Sequence, residues 1–127
     1  MLQENNTPLD ILIQPQYQSC IAACLECAAA CDACATACLK EQNVQMMARC
    51  IQLDMDCARV CIAAAGFMSR SSEFAADLCA LCARICEACA EECERHVSHY
   101  DHCRVCAEAC RQCAHECHQM ADIAVGQ

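Results

Sequence analysis

The 127-residue chain has few of the residues that usually build a core or break a helix: two Phe, two Tyr, no Trp, two Gly and two Pro. With aromatic residues at 3%, the interior must consist of alanine, aliphatic residues and the 19 cysteines. Basic residues are also scarce, because 8 Lys and Arg against 17 Asp and Glu give a net charge of -9. Nucleic-acid binding requires a basic surface, so nucleic acid is excluded as a partner.

The first residues lack the features of an export signal. They show no basic start, no twin arginine, no apolar run of signal length and no small-residue cleavage site. We therefore expect a cytosolic location, where a reducing environment keeps thiols free. No stretch approaches about 18 uninterrupted apolar residues, so no membrane partner is expected. Free thiols at this density would be a liability unless a soft metal ion binds them.

Helix formers and the positions of the breakers predict an all-α fold. Alanine is the most frequent residue, and Gly66 is the only glycine before residue 126. We expect an N-terminal segment, residues 1–15, with a short helix over 8–14 that Thr7 caps. A cysteine-rich bundle over residues 16–127 follows.

Breaks and caps within the bundle predict four long helices, over residues 16–39, 44–65, 73–95 and about 98–124. Gly66 is expected to end the second helix, and Ser98 with Asp101 forms a weak capping box before the fourth. Four helices of similar length with short connections predict an up-down-up-down four-helix bundle.

The cysteines of the first, third and fourth helices recur at alternating spacings of three and four residues. This spacing is a heptad seam, so the sulfur atoms of the helices should face one another along the bundle axis. The second helix carries a thinner seam of Met47, Cys50, Asp54, Cys57, Cys61, Ala64 and Met68. The other seam cysteines are Cys20, Cys24, Cys27, Cys31, Cys34, Cys38, Cys79, Cys82, Cys86, Cys89, Cys93, Cys103, Cys106, Cys110, Cys113 and Cys117.

A metal-binding role explains this seam better than packing or disulfide bonding. A core built only for packing would use Leu and Ile, which bury more apolar area than cysteine. Disulfides between helical neighbours are disfavoured, because their Cβ directions run side by side and because 19 is an odd number. We therefore interpret the seam cysteines as metal ligands.

Softness and charge favour Cu(I) as the bound ion. Thiolates select Cu(I), zinc or iron–sulfur clusters, and the chain lacks the C-x-x-C-x-x-C run of a cluster site. Zinc in a four-cysteine site leaves two negative charges in the core. Bridging thiolates let Cu(I) approach about one ion per cysteine, so each thiolate charge is cancelled. Pairs four residues apart, such as Cys20 with Cys24, could each chelate one Cu(I).

On these repeats, the sequence resembles the cytosolic copper storage proteins, a family of cysteine-lined four-helix bundles filled with Cu(I). The resemblance covers residues 16–124 and rests on C-x-x-x-C-x-x-C repeats in three helices and the thinner second helix. It implies storage of multiple Cu(I) ions without catalysis, a homotetramer and a cytosolic location. It also implies that His99 and Cys103 form a ligand pair at one end, with Asp54 as a polar seam residue nearby. A copper chaperone is a further expected partner.

His96, His99 and Met47 extend the seam at one end of the predicted bundle. Histidine and methionine bind Cu(I) more weakly than thiolate does, which suits a site that passes ions inward. His96 and His99 could instead be solvated turn residues. At the opposite end, Met68 and Met120 are expected to be apolar plugs.

Other residues leave alternatives open. Asp54 could be a ligand, could pair with Arg49, Arg59 or a neighbouring helix, or could fix helix register. Three histidines off the seam, His102, His115 and His118, are expected at the surface. Apolar residues beside the seam exceed what the core needs, so some should form an oligomer interface. They are Ile21, Leu25, Ile51, Leu53, Val60, Ile62, Leu78, Leu81, Ile85 and Val105.

Three other functions stay open at this point. A zinc-buffering protein would use the same thiolates. A cysteine-based redox protein would place a few low-pKa cysteines near an opening. A structural thiol protein would tolerate replacement of the seam by Ala or Val. We also expect the metal-free bundle to be folded.

Overall fold

The computed structural model describes residues 8–125, with side chains through residue 122. Within this range it contains four α-helices: α1, Pro15–Leu39; α2, Ala48–Ser69; α3, Ala75–Glu94; and α4, Asp101–Val125. Consecutive helices pack against each other, and α1 also packs against α4, which closes the ring. The all-α, up-down-up-down four-helix bundle predicted from the sequence is confirmed.

The segment before α1 differs from its prediction. Pro8–Ile11 form one short 3₁₀ turn in place of a helix over 8–14, and α1 begins at Pro15. Proline suits the first helical position because that position needs no N–H donor. The Gln18 side chain donates to the carbonyls of Asp10 and Ile13, at 3.1 Å each, and ties the turn to α1. The predicted cap Thr7 lies outside the described residues, and the division into residues 1–15 and 16–127 stays a prediction.

The prediction that Gly66 ends α2 is wrong. A 3₁₀ turn over Val44–Met47 leads into α2, which continues through Gly66 to Ser69. The residue with a left-handed backbone is Ser71, at φ 53°. The N–H groups of Ser71 and Ser72 donate to the carbonyls of Met68 and Phe67, at 3.0 and 2.9 Å. This pair of bonds is a Schellman closure, which satisfies the last carbonyls of the helix without glycine.

The capping box predicted at Ser98 is also wrong, because α4 begins at Asp101, three residues later. The Tyr100 carbonyl accepts from the N–H of Cys103 at 3.2 Å. The connection before α3 is capped by a side chain, since Ser72 Oγ accepts from the N–H of Phe74 at 3.0 Å.

The core consists of sulfur and alanine. Every cysteine is at most 1% exposed, and buried alanines such as Ala58, Ala83 and Ala90 lie beside the cysteines. Small side chains at these positions let the helices approach closely, which brings sulfur atoms of different helices into contact. Ion pairs on the outside join α1 to α2, through Asp32 and Arg59, and α3 to α4, through Glu94 and Arg111.

Helix α1 has the length and apolar composition of a membrane span. Its seam cysteines, however, are fully buried against the other helices, and a core helix of a bundle meets the same criterion.

Candidate metal centre

All 19 cysteines lie within residues 8–125, and each is a free, buried thiol. The thinner seam of α2 is buried as predicted, with Asp54, Ala64 and Met68 completely inaccessible. The cysteines of the four helices therefore form one continuous column of sulfur atoms along the bundle axis.

The closest sulfur contacts join different helices. Cys57 and Cys86 Sγ are 3.5 Å apart, and Cys117 Sγ lies 3.6 Å from Cys20 and 3.7 Å from Cys24. Pairs four residues apart on one helix are slightly longer, between 3.8 Å for Cys82 with Cys86 and 4.0 Å for Cys27 with Cys31. By distance, two cysteines of different helices are thus at least as able to share a metal ion as the pairs within one helix that the spacing suggests.

The sulfur atoms also form groups of four in which all members lie within 4.8 Å of one another. Several groups share a member, so that one cysteine borders two potential metal positions. The groups include Cys24, Cys82, Cys113 and Cys117; Cys27, Cys61, Cys86 and Cys113; Cys27, Cys31, Cys57 and Cys110; Cys31, Cys89, Cys106 and Cys110; and Cys34, Cys38, Cys50 and Cys103.

These separations fit metal ions without large rearrangement. With a metal–sulfur bond of about 2.3 Å, the value for zinc, two thiolates stand about 3.8 Å apart around a tetrahedral ion and about 4.6 Å apart across a linear one. Side-chain rotations that move each sulfur atom by less than about 1 Å would bring the observed pairs to the tetrahedral or to the linear separation.

Asp54 is a carboxyl group inside the sulfur column. Its Oδ1 accepts from the thiols of Cys89 at 3.1 Å and Cys106 at 3.3 Å, and Cys50 approaches Oδ2 at 3.9 Å. Burial, together with the neighbouring thiols, raises the pKa of Asp54 to about 11, so the side chain is neutral in the metal-free protein.

The ion pairs considered for Asp54 are not formed. Arg49 contacts Glu92 and Arg59 contacts Asp32. Both arginines lie on the outer surface of α2, where their side chains are more than two-thirds exposed.

The structure adds His102 to the site, a residue that the sequence places at the surface. His102 is half-buried, and its Nε2 lies 3.5 Å from Cys38 Sγ. Its ring stacks on Tyr100, with centroids 5.3 Å apart. A heptad pattern gives no signal for His102, because it lies one residue before the seam position Cys103; its contact depends on how α4 packs against the end of α1.

Two thiols beside His102 are protonated at neutral pH. Burial raises the pKa of Cys38, and it raises the pKa of Cys103 to about 12. A metal ion that binds here must therefore displace protons.

One end of the bundle, which we call the mouth end, is formed by residues 40–47 and 95–100. A cavity of about 400 Å³ opens there, lined by Asn43, Met46, Met47, His96, His99 and Tyr100. The three residues predicted to share one end thus line one cavity. His99 is exposed and Cys103 is fully buried, so the ligand pair implied by the resemblance stays a prediction.

The opposite end, which we call the closed end, is formed by residues 8–14 and 70–74 with the last turns of α4. Met68 is fully buried there, and Ile13, Tyr17 and Met120 pack against the core. His115 and His118 are exposed as expected, and His118 contacts Glu87 at 2.9 Å. A groove of about 390 Å³ on the outer side of α3 and α4 contains no cysteine.

The fold and the site together define a thiol-lined four-helix bundle, a class of protein suited to holding several soft metal ions in its core. A sequence model described as copper storage protein matches residues 13–122, which is most of the chain. The chain therefore belongs to the copper storage protein family.

Solved structures similar to this chain include a cytosolic copper storage protein from Streptomyces lividans with five coppers. It is 45% identical, with a TM-score of 0.82 over 84% of this chain and 92% of that one. The S. lividans protein with 10 copper equivalents is 42% identical, with a TM-score of 0.83 over 95% of both chains. Cu(I)-bound copper storage protein BsCsp3 is 45% identical, with a TM-score of 0.79 over 84% of this chain and 98% of that one. No curated protein sequence matches the chain.

Proposed function

We propose that this protein stores many Cu(I) ions in the cytosol, approaching one per cysteine, as thiolate complexes along the bundle axis. The observation that carries the proposal is the continuous column of buried thiols, in which neighbouring sulfur atoms are 3.5–4.0 Å apart and groups of four share members. Groups of cysteines that share members fit Cu(I), because one thiolate can bridge two Cu(I) ions and each ion cancels the charge of about one thiolate.

The alternatives fit the same residues less well. Zinc in separate four-thiolate sites leaves two negative charges per ion in the core. Among the residues that the structure describes, the one carboxyl group buried in the seam is Asp54, and it is neutral. A redox protein needs accessible thiols, whereas every cysteine is at most 1% exposed. We therefore propose a storage protein without enzymatic activity.

We propose that copper passes through the mouth end. Met47, His96 and His99 line the cavity there, and His102 contacts Cys38 at the same end of the bundle. Thioether and imidazole ligands hold Cu(I) less tightly than thiolates, so an ion moves inward to stronger ligands. On this basis the metal ligands are the 19 cysteines with Asp54, and the mouth-end residues bind ions in transit.

A homotetramer and delivery by a copper chaperone complete the proposal. Among the apolar residues beside the seam, Ile21 and Val60 are buried, and Ile51, Leu53, Leu78 and Ile85 are partly buried. The remaining four are 42–51% exposed and are candidates for contact with another copy: Leu25, Ile62, Leu81 and Val105.

The test is an anaerobic Cu(I) titration of the fully reduced protein against a chromophoric Cu(I) chelator, with free thiols counted in the same sample. We expect an endpoint near one copper per cysteine, lowered by about four when Cys27, Cys31, Cys57 and Cys110 are all changed to Ala. The control His118→Ala removes a metal-binding side chain outside the seam and should keep the full endpoint. Saturation after one or two ions would contradict storage.

A further inference from the structure

Glu92 is one of two buried acidic residues among the described residues, and the proposed function does not use it. Its side chain is 8% exposed and accepts contacts from both sides of the mouth end. Oε1 lies 3.3 Å from Arg49 of α2 and 3.9 Å from Arg95, whereas Oε2 lies 3.0 Å from Nε2 of His96. The two guanidinium groups balance the carboxylate charge.

The hydrogen bond from His96 determines which ring nitrogen carries the proton. A carboxylate only accepts, so Nε2 of His96 is the donor, and in the neutral ring Nδ1 is left with a free lone pair. None of the contacts of the described residues involves Nδ1 of His96. Among the described residues, every side-chain nitrogen or oxygen that lacks a hydrogen-bond partner is exposed to solvent. Nδ1 is therefore accessible, in a residue that lines the cavity beside Met47.

We infer that Glu92 is a positioning residue that holds His96 with its Nδ1 lone pair available to a soft monovalent ion crossing the cavity; the inference rests on the proposed storage of Cu(I). Histidines that bind metals usually donate their other N–H to a carboxylate or carbonyl, which fixes both tautomer and ring orientation. Here the pairs with Arg49 and Arg95 hold the carboxylate in place.

Transfer kinetics test this role. Glu92→Gln should slow anaerobic transfer of Cu(I) from a chromophoric donor complex by about tenfold. This is the lower end of the effect of losing the carboxylate partner of a metal-binding histidine. The copper endpoint should not change. His96→Ala should slow transfer similarly. The double variant should be no slower than His96→Ala, because Glu92 acts through His96. A further tenfold loss in the double variant would overturn the inference, as would a wild-type rate for Glu92→Gln.

A matched control is Glu94→Gln, which removes another acidic residue near the end of α3 that pairs with an arginine, Arg111, at 2.8 Å. It should transfer copper at the wild-type rate.

A measurement on the unmodified, metal-free protein covers the case in which the Glu92 variant does not fold: nitrogen-15 NMR of the imidazole should show His96 protonated at Nε2. Protonation at Nδ1 alone would overturn the inference. Absence of copper binding in all variants and in the wild type would instead contradict the storage function.

Discussion

At the mouth end, the last cysteines are followed by histidine, methionine and tyrosine around an open cavity, whereas at the closed end they are covered by packed apolar side chains. His96 and Met47 line the first, and Met68 is fully buried in the second. Both ends use a buried methionine, but Met47, 1% exposed, borders the mouth-end cavity, whereas Met68 is fully buried beneath packed apolar side chains. The same residue type therefore lines a cavity at one end and fills the packing at the other.

This difference gives the thiol column a direction. On the proposed route, ions that arrive at the mouth end meet weak ligands first and thiolates next, while packed apolar side chains cover the closed end. The buried acid Asp54 also lies in the half of the bundle nearer the mouth end, and the last two seam positions of α2 toward the closed end are the apolar Ala64 and Met68. Three measurements test this contrast.

The largest effect is expected from Met68→Ala, which leaves a cavity at the closed end. Truncating a fully buried methionine should lower the free energy of unfolding by about 2–5 kcal/mol. The comparison is Met46→Ala at the mouth end, where the change should stay within about 0.5 kcal/mol. Urea unfolding of the reduced, metal-free protein measures both. Equal losses would contradict the burial of Met68 and the exposure of Met46.

Asp54→Asn should flatten the pH dependence of stability. Burial raises the pKa of Asp54 to about 11 from about 3.9 in an unfolded chain, so between these values only the folded state holds the proton. Stability must then fall as pH rises, by at most about 1.4 kcal/mol per pH unit. Urea unfolding of metal-free protein at pH 5, 6 and 7 measures this slope, since free thiols stay mostly protonated there. The slope should persist in the exposed control Asp56→Asn, and the same slope in Asp54→Asn would refute the assignment.

The smallest effect concerns the rate of copper uptake. Met47→Leu combined with His99→Ala removes two cavity ligands and should slow Cu(I) transfer by about tenfold, equal to about 1.4 kcal/mol. Met68→Leu combined with Met120→Leu makes a matching change at the closed end and should leave the rate unchanged. Stopped-flow absorbance of a Cu(I) chelator complex under anaerobic conditions follows both. If only the closed-end variant took up Cu(I) more slowly, copper would enter at the closed end and not at the mouth end.

The predictable parts of the fold follow from local pattern. Heptad spacing placed every cysteine of α1, α3 and α4 in the core, and it identified the buried positions of α2, including Asp54. Helix ends were less predictable: Gly66 lies inside α2, because two backbone hydrogen bonds around Ser71 close the helix later. Such closures depend on where the chain must turn to reach α3, which residue propensity alone does not determine.

The site divides in the same way. Met47, His96 and His99 could be assigned to one end from topology alone, but the contacts of His102 with Cys38 and of Glu92 with His96 could not. His102 lies off the heptad, and Glu92 looks like a surface acid until its arginine partners on two helices are placed.

Composition and residue spacing alone specify an α-helical bundle, a core of sulfur and alanine, and a soft metal ion as cargo. These depend on composition and on a period of three to four residues, both of which are local properties. Packing of the helices sets which thiols of different helices lie within reach of one ion, makes Asp54 neutral, and leaves one ring nitrogen of His96 without a partner. Those properties depend on distances and burial between residues far apart in the chain, which arise only when the helices pack.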